Sequence, residues 1–171
     1  RWTQGTPGEY ARTIGDDRDK AVEVLHDLQV THMVRSNHTD RLYNSIMKRL
    51  PGLLGAPELE FENFMRLPQL GIKFHRKPFE VAKGWIVLHG DEGSVNPKPG
   101  LTALGLAIRH GKSVVCGHTH RAGLSAFSEA SGGVLGRTLW GFEVGNLMNF
   151  KSATYLKAGS GNWQQAFGIL Y

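Results

Sequence analysis

The sequence contains no long hydrophobic run and only one cysteine, and both features narrow the class of protein. No apolar stretch among the 171 residues approaches the roughly 18 residues that a membrane-spanning helix needs. The opening RWTQGTPGEY also lacks the apolar core of a signal peptide. Cys116 cannot form a disulfide within the chain, which favours a reducing cytoplasm over an oxidising compartment.

The length and charge of the chain set further expectations. A chain of 171 residues suits one domain with a sizeable core, so we predict a single domain over residues 1–171. The formal net charge is +5 and the pI is near 9.5. This basic balance suits a polyanionic partner such as nucleic acid.

Helix-like and strand-like segments alternate along most of the chain, and this order predicts an α/β fold. The helical patterns are DDRDKAVEVLHDL at 16–28, DRLYNSIMKRLPG at 40–52, APELEFENFMRLPQLG at 56–71, with a helix that ends near Pro68, and PGLTALGLAIRHGK at 99–112, where Gly111 is the expected left-handed terminator. Strands are expected in THMVRS at 31–36, on both sides of Lys83 and Gly84, and in SVVCG at 113–117. From Arg121 onward the pattern changes to two hairpins with turns at 131–133 and 159–162.

Three polar clusters each follow a predicted strand, and their positions suggest one shared site. They are SNHTD at 36–40, HGDEG at 89–93 and GHTH at 117–120. In open α/β sheets, ligands bind outside the carboxyl ends of the strands, so distant segments can meet there. The two histidines of GHTH point the same way only if the chain stays extended. Imidazole and amide oxygen suit manganese, iron, zinc, nickel or cobalt, so the sequence predicts a divalent metal site.

These ordered clusters resemble the motifs of the calcineurin-like metallophosphoesterase family. That family carries D-x-H, G-D-x-x-D, G-N-H-D/E, an isolated histidine near a glycine, and G-H-x-H. SNHTD resembles the third motif, LHGDEG resembles the fourth, and CGHTH matches the fifth in full. The resemblance covers residues 15–170. It implies a four-layer α/β/β/α sandwich and hydrolysis of phosphate esters with two metals.

The resemblance also implies a role for each matching residue. Asn37, His89 and His118 would bind one metal, and His120 would bind the other. His38 would act as the general acid or hold the phosphate, and an imidazole suits proton donation because it titrates near neutral pH.

Three other residues are candidates for supporting roles. Thr39 stands where the family has an acidic neighbour of the third-motif histidine, so Asp40 is a candidate for orienting His38. Asp91 could accept a hydrogen bond from a ligand ring, and it is equally well explained as a solvated turn residue. Arg121 could pair with a substrate phosphate, because a guanidinium group matches its geometry.

The two acidic motifs of the family have no secure counterpart. The sequence has no D-x-H, and GDDRD at 15–19 matches G-D-x-x-D but also reads as the first turn of a helix. We therefore expect a domain whose N-terminal strands and acidic ligands lie upstream of residue 1 or come from a partner chain. Asn37, His89 and His118 are neutral, so by themselves they should hold at most one metal well.

The sequence thus favours a cytoplasmic hydrolase that acts on a phosphomonoester or phosphodiester with two divalent metals. Manganese is the first metal to test, the basic charge favours nucleic acid or a nucleotide as substrate, and no membrane partner is expected. One alternative is an inactive fragment that binds nucleic acid or a protein. Another is half of a site that a second chain completes.

Overall fold

The computed structural model describes residues 13–152 and 161–171, and the chain divides into two units, Arg1–Arg76 and Lys77–Tyr171. Both units contain helices and strands, so the expected α/β class is confirmed. The expectation of one domain over residues 1–171 stays a prediction.

The first unit contains three helices, two 3₁₀ turns and two short strands among its described residues. Thr13 caps the first helix, because its hydroxyl accepts from the N–H of Asp16 while the Asp16 carboxylate accepts from the N–H of Thr13. The two strands pair in parallel, with Met33 opposite Phe74. In chain order the elements are α1 (Ile14–Asp27), β1 (His32–Val34), α2 (Asp40–Arg49), the 3₁₀ turns Pro51–Leu53 and Pro57–Leu59, α3 (Phe61–Phe64) and β2 (Lys73–His75).

The core of the first unit is a small apolar cluster. Met65, Leu67 and Ile72 are buried at its centre. One face of α1 packs against them, and the residues of that face include Val22 and Leu25. The spacing of these two residues is that of one helical face, as the apolar period of α1 indicated.

The long helix predicted within residues 56–71, ending near Pro68, is wrong. A 3₁₀ turn at Pro57–Leu59 is followed by Glu60 in an extended conformation, and α3 then covers only four residues. Arg66 has a left-handed φ of 55°, which an α-helix does not allow. The apolar spacing in this segment reflects the packing of residues such as Leu67 into the cluster.

The second unit is built on a five-stranded sheet in the order β3-β4-β5-β7-β6. β4 pairs with β5 in parallel and β5 pairs with β7 in parallel, while the two outer pairs are antiparallel. The predicted strands on either side of Lys83 and Gly84 are confirmed. The elements are β3 (Phe79–Ala82), β4 (Trp85–Leu88), α4 (Leu101–His110), β5 (Ser113–Cys116), β6 (Ala122–Ser131), β7 (Val134–Val144) and a 3₁₀ turn at Phe150–Ser152.

Helix α4 covers one face of the central strands. Ala103, Leu106 and Ala107 of the helix pack with residues of β4 and β5, including Leu88 and Val114. Gly111 ends the helix in a left-handed conformation with φ 65°, as predicted.

The two predicted C-terminal hairpins have different outcomes. The turn at 131–133 is confirmed, because Gly132 and Gly133 join β6 to β7. Residues 153–160, which hold the first arm of the second hairpin, lie outside the described residues. Residues 161–171 contain no strand, and Gln165 forms only an isolated bridge with Asn146, so the second arm is wrong.

Among the described residues, no helix has the length and apolar character that crossing a membrane requires.

Candidate metal centre

Two neighbouring parallel strands of the second unit bring two predicted metal ligands to one edge of the sheet. His89 directly follows β4, and His118 follows β5 after Gly117. Leu88 is paired with Cys116 in the register, and the N–H of Gly117 donates to the carbonyl of His89 at 3.1 Å. The carboxyl ends of the two strands are thereby held side by side.

The rings of His89 and His118 have the separation of two ligands on one ion. His89 Nε2 and His118 Nδ1 are 3.2 Å apart, and the ring centroids are 4.9 Å apart. Two imidazole nitrogens at about 2.0–2.1 Å from one tetrahedral ion stand roughly 3.3–3.4 Å apart. The same separation suits a hydrogen bond when one of the nitrogens carries the proton. The separation therefore fits two arrangements, a hydrogen-bonded pair of rings and two nitrogen ligands of a single divalent ion.

His118 and His120 lie in a turn rather than in an extended chain. Their φ angles are 62° and 60°, in the left-handed region that side chains disfavour. Between them, the N–H of Thr119 donates to the carbonyl of Gly117 at 2.6 Å. The extended geometry considered for the H-x-H pair is therefore wrong. Such conformations cost about 1–3 kcal/mol each and persist where the surroundings fix them, often at functional sites.

Gly90 lets the loop after β4 approach this turn closely. Its φ is 109°, and a Cβ at this position would lie 3.2 Å from Cys116 Sγ and 3.3 Å from His118 Cβ. A side chain at residue 90 would therefore be strained and would crowd His118.

His120 is held by residues from the C-terminal part of the chain. Its ring meets Trp163 edge to face, with centroids 4.6 Å apart. Its carbonyl accepts from the N–H of Gln164 at 3.0 Å and from Asn146 Nδ2 at 3.1 Å.

Burial lowers the pKa of His120 below its ordinary value, and the charges of His118 and Arg121 act in the same direction. Its Nδ1 is buried and has no hydrogen-bond partner among the described residues, so it suits a ligand nitrogen.

Sequence reasoning missed Glu143, a fully buried residue of β7 that contacts the same turn. Its Oε2 accepts from Thr119 Oγ1 at 2.9 Å. Its Oε1 accepts from the N–H of Thr102 at 2.9 Å and of Ala103 at 3.3 Å. The sequence WGFEV holds one signal for Glu143. In a strand, alternate residues share a face, so residue 143 lies on the same face as Gly141.

The second unit also contains the predicted residues Arg121 and Asp91. Arg121 is half-buried, and its Nε and Nη1 are buried without an acceptor in the part of the chain that the structure describes. Asp91 is half-buried in the turn after His89, where the N–H of Gly93 donates to the carbonyl of Gly90. The roles expected of both residues stay predictions.

In the first unit, the SNHTD segment forms a tight turn between β1 and α2. The N–H of Ser36 donates to Thr39 Oγ1 at 2.9 Å, and the N–H of Thr39 donates to Ser36 Oγ at 3.0 Å. Asn37 and His38 lie between these two residues and are exposed. The turn therefore leaves both side chains accessible.

Asp40, the candidate for orienting His38, is bound by an arginine. Its Oδ2 accepts from Arg35 Nε at 2.8 Å and from Arg35 Nη2 at 2.6 Å. The ring Nε2 of His38 stands 3.4 Å from Arg41 Nη2. The orienting role of Asp40 stays a prediction.

The acidic GDDRD segment begins α1. Asp16 takes part in the cap with Thr13, and Asp19 Oδ1 accepts from Arg18 Nε at 2.9 Å. Asp16 and Asp17 lie in the first turn of α1, where the helix dipole favours acidic residues.

Within residues 13–152 and 161–171, no group of three or more His, Cys, Asp or Glu side chains is placed to hold a metal ion. The structure brings His89 and His118 together in the second unit, whereas Asn37 and His38 belong to the first unit. The ligand roles of Asn37, His89, His118 and His120, and the role of His38 as general acid or phosphate contact, stay predictions.

The chain is a mixed α/β protein. In its second unit, His89 and His118 form a pair at the carboxyl ends of two parallel strands. The chain is 37% identical over 179 residues to the Gene 54 protein of Mycobacterium phage D29. It is 34% identical over 179 residues to the Gene 54 protein of Mycobacterium phage L5. Each comparison covers 99% of this chain and 70% of the phage protein, and the chain belongs to this family of mycobacteriophage Gene 54 proteins. No family model matches it, and no solved structure gives a significant match.

Proposed function

We propose that this chain is a metal-dependent phosphoesterase of the calcineurin-like type, with the four-layer sandwich that this type implies. The observation that carries the proposal is the 3.2 Å separation of His89 Nε2 and His118 Nδ1 at the ends of two parallel strands. The match of CGHTH to G-H-x-H supports it from the sequence. The proposed reaction is the hydrolysis of a phosphomonoester or a phosphodiester.

In this proposal His89 and His118 share one divalent ion, and the resemblance adds Asn37 as a third ligand. His120 is assigned to a second ion, since its Nδ1 is buried without a partner among the described residues. A pair of such ions supplies a hydroxide near neutral pH and stabilises the charge that develops on the phosphate. Manganese is the first metal to test, followed by iron, zinc, nickel and cobalt.

Two other side chains of this protein have proposed roles toward the substrate. The exposed His38 donates a proton to the departing oxygen, because an imidazole changes charge near neutral pH. Arg121 pairs with the phosphate oxygens, since a guanidinium group donates two parallel hydrogen bonds to such an anion. Both roles rest on the resemblance and on the chemistry of the residues.

We further propose a polyanionic substrate, nucleic acid or a nucleotide, and a cytoplasmic location. The net charge of +5 favours association with a polyanion. The single cysteine suits a reducing compartment, and Cys116 is buried.

The test is hydrolysis of bis(p-nitrophenyl) phosphate and of p-nitrophenyl phosphate by the purified chain with Mn²⁺. We expect turnover that chelation by EDTA removes. His118→Ala and His89→Ala should each reduce kcat/KM by at least about 100-fold, since each deletes a direct ligand.

His110→Ala is the matched control, because His110 is an exposed histidine at the end of α4 in the same unit. Its activity should equal that of the unaltered chain. Folded protein that shows no turnover with any of the five metals would contradict the proposal. The phage D29 relative, of which this chain covers 70%, is assayed in parallel, and activity in that relative alone would favour a site completed by another segment.

The second candidate function is an inactive module that binds nucleic acid, and the net charge of +5 favours it. This second function predicts that the chain slows the migration of labelled DNA in a gel-shift assay and does not hydrolyse it. Unlike the phosphoesterase, such a module would bind DNA equally well after His118→Ala and in the presence of EDTA.

A further inference from the structure

Glu143 connects three parts of the second unit through one buried carboxylate. It lies on β7 and is 0% exposed. One carboxylate oxygen accepts from the backbone of Thr102 and Ala103 in the first turn of α4. The other accepts from the hydroxyl of Thr119, between the candidate ligands His118 and His120.

The helix end explains how a carboxylate can be buried at this position. The first turn of α4 has no acidic residue, and Gly100 at its N-terminus provides no side-chain cap. Glu143 reaches this end from the neighbouring strand and satisfies two N–H groups that the helix itself leaves unpaired. The partial positive charge of the helix N-terminus stabilises the carboxylate, which otherwise would be costly to bury. This anchoring gives the Glu143 side chain a fixed position.

The Thr119 hydroxyl binds the turn to the fixed Glu143 carboxylate. Oγ1 donates to Glu143 Oε2 at 2.9 Å, and it also accepts from the N–H of Arg121 at 3.3 Å. The residues on either side, His118 and His120, both have left-handed φ angles that need support from their surroundings. The hydroxyl therefore links the N–H of Arg121, and through it the second half of the turn, to one fixed acceptor.

We propose that Glu143 is the positioning residue of this site and that it sets the conformation of the His118–His120 turn through the Thr119 hydroxyl. An effect of Glu143 on metal binding rests on the proposed function. Its effect on the conformation of the turn is independent of that function. Groups that support metal ligands typically change metal affinity by about 10–100-fold when they are removed.

Thr119→Val tests this contact with little change in side-chain volume, since it replaces the hydroxyl by a methyl group. Thr119→Ser is its matched control, because serine keeps the hydroxyl. Glu143→Gln keeps the size of the side chain and removes its charge. Far-ultraviolet circular dichroism and thermal unfolding verify that each variant is folded.

The first readout is backbone amide hydrogen exchange, which needs no metal. The amide of Gln164 donates to the carbonyl of His120, so its exchange reports the position of that half of the turn. We expect protection from exchange at residue 119 and Gln164, corrected for the intrinsic rate of each residue type, to be at least about tenfold lower in Thr119→Val and Glu143→Gln and within about twofold of the original in Thr119→Ser. The amide of Leu139, in the core of the same sheet, should keep its rate in all three variants.

The second readout is Mn²⁺ affinity by isothermal titration calorimetry. It should fall about 10–100-fold in Thr119→Val and Glu143→Gln and be preserved in Thr119→Ser. If the unaltered chain binds no Mn²⁺, the proposed function fails while the exchange rates still decide whether Glu143 positions the turn. Unchanged protection at residue 119 and Gln164 in both Thr119→Val and Glu143→Gln would overturn the inference.

Discussion

At the residue scale, Gly141 lies where helix α4 packs directly against the backbone of the sheet. A Cβ at residue 141 would overlap the backbone of Ala103 and Leu104, so the backbone itself blocks any side chain there. Gly105, in the middle of the same helix, has no atom within 4 Å of the position that a Cβ would take. An alanine should therefore destabilise the protein at residue 141 and be accommodated without a clash at residue 105.

Gly141→Ala should lower the free energy of unfolding by about 3 kcal/mol, because the helix must move off the strand. Gly105→Ala should raise it by about 0.5–1 kcal/mol, since alanine has the better helix propensity. Urea unfolding followed by circular dichroism measures both values. Equal stability of the two variants would mean that α4 does not pack on β7 as described.

Residue-scale features differ in how well they can be predicted from a sequence. His89 and His118 were identified because each follows a strand-like run, and that placement depends only on local pattern. Glu143 was missed because its partners, Thr102 and Thr119, are 41 and 24 positions away. Strand alternation gives the face on which a side chain lies but not the groups opposite it. The roles of the histidines as ligands remain predictions.

At the element scale, β5 is the central buried strand of the second unit. All four of its residues are buried, and Cys116 is 1% exposed. Burial, and after it the charge of Glu143, raises the pKa of Cys116 to about 12. The thiol is therefore both inaccessible and protonated at neutral pH.

Cys116 should accordingly resist Ellman's reagent at pH 8 in the folded protein. We expect labelling on the order of 100-fold slower than in guanidinium chloride, limited by transient opening of the structure. Spectrophotometry at 412 nm measures the rate. Labelling of the native chain as fast as of the denatured chain would show that β5 is an exposed strand.

Element boundaries were predictable where one local signal dominated. α2 begins at Asp40 and ends before Pro51, and α4 ends at Gly111, as the start and stop residues indicate. The segment over 56–71 was mistaken for a helix because its apolar spacing is helical, while Glu60 and Arg66 take conformations that interrupt it. The packing of the small cluster in the first unit outweighs helix propensity there.

At the scale of the whole molecule, the net charge of +5 bears on the class of substrate. A protein that contacts about three phosphates loses roughly 40-fold of its affinity for duplex DNA between 50 and 200 mM salt, because counterions are released on binding. Lysine and arginine side chains, of which the chain has 20, are the residue types that make such contacts.

We therefore expect the affinity for a fluorescent DNA duplex, measured by anisotropy, to fall roughly 40-fold between about 50 and 200 mM salt. A duplex with methylphosphonate linkages, which carry no charge, is the control and should bind weakly at every salt concentration. Binding of the natural duplex that does not change with salt would contradict a phosphate-backbone interface and would favour a small phosphate ester as the substrate.

The most direct measurement for the central claim is a crystal structure of the chain with Mn²⁺, recorded with anomalous scattering from the metal. The account predicts an anomalous peak within about 2.0–2.4 Å of both His89 Nε2 and His118 Nδ1, and its loss in crystals of His118→Ala. A well-ordered site in which the two rings are hydrogen-bonded to each other and no peak stands beside them would contradict the claim.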